Sequence, residues 1–131
     1  MGRVADGWKI DAGHLPEGFG YPRAFDHLIE SGTFRLWNWV VLDARRATER
    51  LVGLQRRYPA RSLVPFAEDL TSDDVFCFEL APTGSRIALI DDHAPVGFEH
   101  CATYPDLVVW FREAVAEAAN EFEIAAAHDA L

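Results

Sequence analysis

Two alternating stretches joined by a turn place the first constraint on this chain. In residues 75–80, Phe76, Phe78 and Leu80 share one side, and in residues 86–90 Ile87 and Leu89 do the same. Between them, Ala81-Pro82-Thr83-Gly84-Ser85 carries turn chemistry. A hairpin centred between Thr83 and Gly84 sets Leu80 opposite Ile87 and Phe78 opposite Leu89. Both apolar sets then fall on one face. A sheet with a buried face follows, and other elements must cover it. The same register brings Asp73 and Asp74, which enter the hairpin, to the end where Asp91 and Asp92 leave it.

Helical patterns supply the cover. Pro22 suits a first helical turn, Phe25, Leu28 and Ile29 share a face, and Gly32 ends the run. Asp43 caps a second helix reaching about Arg57, whose stripe is Ala47, Leu51, Leu54 and Tyr58; Pro59 stops it. Arg45, Arg46, Arg56 and Arg57 fall on its other face, with Glu49 one turn away, which reads as a solvated surface, the alternative being a site for phosphate or an acidic partner. A final helix opens at Thr103-Tyr104-Pro105-Asp106, a capping-box pattern, and repeats Leu107, Phe111, Ala118 and Phe122 on one face with Trp110 and Val115 beside it. Residues 125–131 read as a fraying tail.

Residues 36–42, too short and too aromatic and β-branched for a helix, read as a strand that aligns Trp37 with Trp39 toward the core. Residues 63–66 contain Pro65 and read as an edge strand or a strand start. Residues 1–20 form an irregular arm; its Trp8 either folds back over the sheet or stays available to a partner. Gly18 and Gly20 lack the third glycine and the preceding strand of a dinucleotide loop. With no internal repeat and no dividing linker, the 131 residues make one α+β domain, a mostly antiparallel sheet flanked by helices.

Charge narrows the classes of partner. The net charge is −9, and it is uneven: residues 1–61 hold ten basic and seven acidic side chains, residues 62–131 two and fourteen. An acidic half of this kind is repelled by phosphate backbones, which argues against nucleic acid and leaves a basic protein as a compatible partner. The longest apolar run, residues 107–111, is too short to span a bilayer. The first twenty residues lack the apolar core of a secretory signal, so the cytoplasm is the expected compartment.

The search for catalytic chemistry returns little. None of Ser31, Ser62, Ser72 and Ser85 sits in a nucleophile elbow. Cys77 alternates with Phe76 and Phe78 and reads as a buried thiol; Cys101 and its neighbour His100 point oppositely on an extended chain. The donors at Asp91-Asp92-His93 and His100-Cys101 lack the paired spacing of a zinc site, and the acidic loop at 68–74 lacks the glycine and glutamate of a calcium loop. No catalytic residue, metal ligand or cofactor site is assigned.

The order of motifs resembles a known family. Tyr21-Pro22-Arg23-Ala24-Phe25 ahead of Leu28-Ile29-Glu30-Ser31-Gly32, with Trp37 and Trp39 following, is similar to the opening of a SUKH superfamily (Smi/Knr-type) domain. Leu63-Val64-Pro65-Phe66-Ala67 and then Ser72-Asp73-Asp74-Val75-Phe76-Cys77-Phe78 resemble its central strands. Residues 87–92 and Tyr104-Pro105-Asp106-Leu107-Val108-Val109-Trp110-Phe111 resemble its later strand and last helix. The resemblance covers residues 21–118. It implies a central sheet flanked by helices and a non-enzymatic role. Bacterial members are mostly immunity proteins that neutralise a toxin, often a nuclease; fungal relatives act in regulation. Ser72-Asp73-Asp74 replaces the Gly-rich turn of many members, which leaves the subgroup and its partner open; the family has no fixed set of binding residues, so the resemblance carries none over.

These lines converge on a SUKH-like domain over 1–131: an arm at 1–20, a core at 21–118, and a helix end and tail at 119–131. It is expected to be a cytoplasmic protein-binding module, an immunity protein that occludes a basic toxin. The expected surface is Glu68, Asp69, Asp73, Asp74, Asp91 and Asp92, the carboxylates gathered by the hairpin register. An intracellular regulatory or scaffold domain is the alternative. A small metal-dependent hydrolase built on Asp91–His93 and His100–Cys101 is the third reading.

Overall fold

The computed structural model describes residues 4–82 and 84–129. Thr83 of the expected turn, and the extremes of the arm and tail at 1–3 and 130–131, lie outside the described residues. Six strands, β1 (Arg35–Leu36), β2 (Trp39–Val41), β3 (Ser62–Asp69), β4 (Val75–Ala81), β5 (Gly84–Ile90) and β6 (His100–Tyr104), form one sheet in sequence order, every neighbouring pair antiparallel. The helices are α1 (Arg23–Glu30), α2 (Ala44–Arg57) and α3 (Leu107–Asp129), preceded by a short 3-10 turn at Val4–Trp8. The α+β class follows, with one antiparallel sheet and helices against it.

The β4–β5 hairpin keeps its apolar sets on one face but shifts its register by two residues. Phe78 lies opposite Ile87 and Phe76 opposite Leu89, while Leu80 faces Ser85 and Ala81 faces Gly84. Pairing runs on to Ala81 and Gly84, beyond the expected register, and a shift of two preserves which face each side chain takes. Phe66 stacks on Phe78 at 4.5 Å, Phe25 of α1 meets both, and Trp110 of α3 packs on Phe66 and Phe76. Full burial of each such ring is worth about 1.5–3 kcal/mol. The intervening β4 residues, Cys77 and Glu79, point to the opposite face, where α2 packs on β3.

The α2 stripe is as expected: Ala47, Leu51, Leu54 and Tyr58 are all buried, and the Asp43 carboxylate accepts the Arg46 N–H at 2.9 Å as N-cap. The arm belongs to the same core. Ala5 and Ile10 are buried, Trp8 stacks on Phe34 at 4.4 Å, and the Tyr21 hydroxyl accepts the Ile10 N–H at 2.9 Å.

Four expectations are corrected. Residues 36–42 are not one strand: a two-residue turn at Trp37 and Asn38 separates β1 from β2. Trp37 is therefore 50 % exposed, whereas Trp39 packs against Trp110 with 2 % exposure. Pro65 does not mark an edge, since β3 lies between β2 and β4; a register shift between Pro65 and Ala67 accommodates the residue that cannot donate to the ladder. Residues 100–104 form β6 instead of leading into a capping box, and Asp106 takes the cap, accepting the Val109 N–H at 2.9 Å. Finally, α3 runs through the expected tail to Asp129 and buries Leu107, Trp110 and Ala114, leaving Phe122 76 % exposed. Phe122 has the right periodicity for burial, but α3 buries no described residue beyond Ala114.

Candidate functional site

The hairpin register does gather the expected carboxylates at one end of the sheet, but their environments divide them. Val75 pairs with Ile90, so Asp74 and Asp91 flank that pair on adjacent strand ends. Glu68 and Asp92 are buried and face α2. Arg57 Nε and Nη2 donate to the two oxygens of Asp92, both at 2.7 Å, and Arg46 Nη2 donates to Glu68 at 3.0 Å. Arg50 lies between them, with its Nε 3.8 Å from Glu68 and 3.9 Å from Asp92. These two carboxylates anchor α2 on the sheet and are not on an open surface. The arginine face of α2 is correspondingly not all solvated: Arg46 and Arg57 reach across to the sheet, and only Arg45 pairs along the helix, with Glu49 at 3.5 Å. Gly53 makes room for this, because a Cβ there would sit 2.5 Å from Arg57 Nη2.

Asp69, Asp73, Asp74 and Asp91 remain nearer the surface, the first three in the tight turn between β3 and β4 and Asp91 just after β5. Asp69 Oδ1 accepts from the Thr71 N–H at 2.9 Å and its hydroxyl at 2.7 Å. The Asp73 N–H donates to Asp69 O at 2.8 Å, and Asp73 takes a left-handed φ of 62°. His93 completes the cluster: its N–H donates to Asp91 Oδ1 at 3.0 Å and its Nε2 lies 3.2 Å from Asp73 Oδ2. Tyr58 braces the loop behind, its hydroxyl 2.7 Å from Ala94 O and 3.0 Å from Asp91 O. Asp74 is the most perturbed member. Partial burial pushes its carboxyl above the ordinary aspartate range, a hydrogen bond with Ser72 works against that, and the charges of Asp91 and Asp69 push it further up.

A cleft of about 150 Å³ continues this surface between the sheet and α3. Asp69 lies on its rim with Glu113 and Glu117 of α3, and Trp39, Tyr104 and Trp110 form its walls. Burial raises the Tyr104 hydroxyl pKa above the ordinary tyrosine value, and Glu113, Glu117 and Asp69 add to the shift. The indole N–H of Trp39 is buried with no hydrogen-bond acceptor among the described residues. A partner that inserts a cationic side chain into the cleft would meet the carboxylates at its rim and the aromatic rings of its walls. Sequence reasoning missed Glu113, Glu117 and Tyr104. The two glutamates share a face at one-turn spacing, which was readable, but assigning that face to Asp69 required β6.

Nucleophilic and metal chemistry find little footing among the described residues. Burial pushes the Cys77 and Cys101 thiols up, Asp74 raises Cys101 further, and neither sits in the electropositive setting that activates a thiolate. Cys101 lies 3.8 Å from Asp74, whereas His100 lies 3.0 Å from Arg61, so the two side chains have separate partners. No group of three or more His, Cys, Asp or Glu side chains is placed to hold a metal ion, and no helix is long and apolar enough to cross a membrane, among the described residues. Comparison with family models, curated proteins and solved structures found no match to this chain, so the site rests on its own geometry.

Proposed function

We propose that this chain is a non-enzymatic protein-binding module of the cytoplasm, an immunity protein that covers the basic cleft of a cognate toxin. The observation that carries the reading is the continuous acidic surface from Asp73, Asp74 and Asp91 through Asp69 to Glu113 and Glu117, with Asp74 held above its ordinary range partly by like charges. Charge left uncompensated in the free protein favours a cationic partner, which relieves the repulsion on docking. The order of SUKH-like motifs supports the same role, and nuclease toxins carry basic clefts because they must hold phosphates.

The test uses the protein encoded by the adjacent gene and measures its affinity by calorimetry at low and physiological salt. Converting Asp69, Asp73, Asp74 and Asp91 to asparagine should weaken binding by at least tenfold and flatten its salt dependence. Unchanged affinity and salt slope in a folded variant would reject the acidic surface. Tight binding of an adjacent product that has no toxic activity would favour the regulatory scaffold reading instead.

A further inference from the structure

The second half of α3 carries a feature that the acidic surface does not use. Val108, Phe111, Val115, Ala118 and Phe122 recur at alternating spacings of three and four, the seam pattern of a coiled coil. Val108 is 46 % exposed, Val115 39 % and Phe122 76 %, and α3 buries no described residue beyond Ala114. Beside the first half of this seam, α1 and α3 enclose a largely apolar groove of about 410 Å³, walled by Ala24, Leu28, Leu107, Val108 and Phe111, with Arg112 at its rim. One helix therefore carries both an unfilled hole near its start and an unburied aromatic knob about three turns further on.

We propose that the occupant of the groove is a second copy of this chain, bound through an antiparallel pairing of the two α3 helices. A two-fold axis between Val115 and Ala118 sets Val115 opposite Ala118 of the other copy, Phe111 opposite Phe122, and Val108 opposite Ala125. Each Phe122 then enters the groove of the other copy at Phe111, so knob and hole are satisfied twice by one operation, as an isologous interface requires. The charges agree. Arg112 and Glu123 lie on the same flank of the seam, and in an antiparallel pair like flanks face each other, so each Arg112 meets the other copy's Glu123. Glu113 and Glu117 lie on the other side of α3, against the Tyr104 cleft, so the acidic surface stays open in the dimer.

Sedimentation equilibrium of the full chain from about 1 to 200 μM tests the pairing. The expected result is a reversible transition from 14.7 kDa to twice that mass. Phe122→Glu should weaken the association by at least about 30-fold. Its thermal unfolding at low concentration should not change, because Phe122 is exposed in the single chain. Arg112→Glu and Glu123→Arg should each weaken association, and the double exchange should restore it. A monomer at every concentration overturns the proposal. A dimer that Phe122→Glu leaves intact overturns it equally, by placing the contact elsewhere.

Discussion

Trp37 occupies a backbone conformation that suits glycine. It is the first residue of the two-residue β1–β2 turn, its φ is 51°, and its ring is half exposed. Hairpin turns with a positive φ at this position favour glycine, and a bulky residue there costs about 1 kcal/mol. Trp37→Gly is expected to raise stability by about 1 kcal/mol in urea unfolding. Trp39→Ala should lower it by about 3–5 kcal/mol, because that ring packs on Trp110. Equal costs for the two tryptophans would contradict the turn. Asp74 gives a second residue-scale expectation. Its carboxyl is raised in the folded chain, so the folded state favours its protonated form, and that contribution is lost as pH rises through the raised value. Asp74→Asn should therefore raise the melting temperature slightly at neutral pH, with the gain shrinking as pH falls through the raised value and vanishing below the ordinary aspartate value. A gain that does not depend on pH would mean the charge is already compensated.

At the scale of elements, α2 shows how a helix is locked to a sheet by charge as well as by its apolar stripe. Arg57 passes over Gly53 to reach Asp92, so the glycine and the ion pair depend on each other. Gly53→Ala should yield less than the usual gain of about 1 kcal/mol in helix propensity in the native chain, because the new methyl displaces Arg57. In an Arg57→Ala background the same change should yield the full gain. Additive effects across this cycle, read by urea unfolding, would show that Arg57 adjusts without loss. This helix was also the most legible element: Ala47, Leu51, Leu54 and Tyr58 carry an unbroken period and all are buried. Other elements concealed themselves for physical reasons. A two-residue turn without glycine hid the break at Trp37, and the largely exposed β6 alternates without an apolar set. The seam of α3 reads as a core stripe because periodicity reports which residues share a face, not whether anything lies against it. For the site, adjacency was legible from the hairpin register, whereas the burial of Glu68 and Asp92 under α2 was not, since a carboxylate in a strand carries no mark of its partner.

Across the whole molecule, one residue joins the end of α2 to the far half of the sheet. Arg61 Nε and Nη2 donate to Glu79 at 2.6 and 2.8 Å, and Nη1 donates to Glu99 at 3.0 Å, while Arg86 adds two bonds to Glu79 at 2.8 and 2.9 Å. Burial alone pushes Glu79 and Glu99 up, but for Glu79 the bonds from Arg61 and Arg86, and for Glu99 the backbone N–H groups of Glu99 and Gly97 together with the Arg61 guanidinium, outweigh it and hold both below the ordinary glutamate range. Lowered carboxyls stabilise the fold above their unfolded values, and the contribution is lost as pH falls through the lowered ones. Arg61→Met should cost about 3–5 kcal/mol at pH 7 by leaving Glu79 under-compensated, and the deficit should narrow from about pH 4 downward. A deficit of constant size at pH 7 and pH 3 would show that these carboxylates do not set the acid limit.

The position of Trp110 has a consequence for how the chain is made. All six strands precede α3, and each pairs with its neighbour in sequence, so the sheet is complete in the growing chain once Tyr104 has emerged. Until Trp110 arrives, Phe66 and Phe76 lack the ring that covers them. Trp110 is only the sixth residue after Tyr104, so at ordinary synthesis rates it follows within about 0.3–1.2 s. For that interval the growing chain carries a finished sheet whose Phe66 and Phe76 lack one covering ring, and a premature stop anywhere before Trp110 leaves those two rings without it for good.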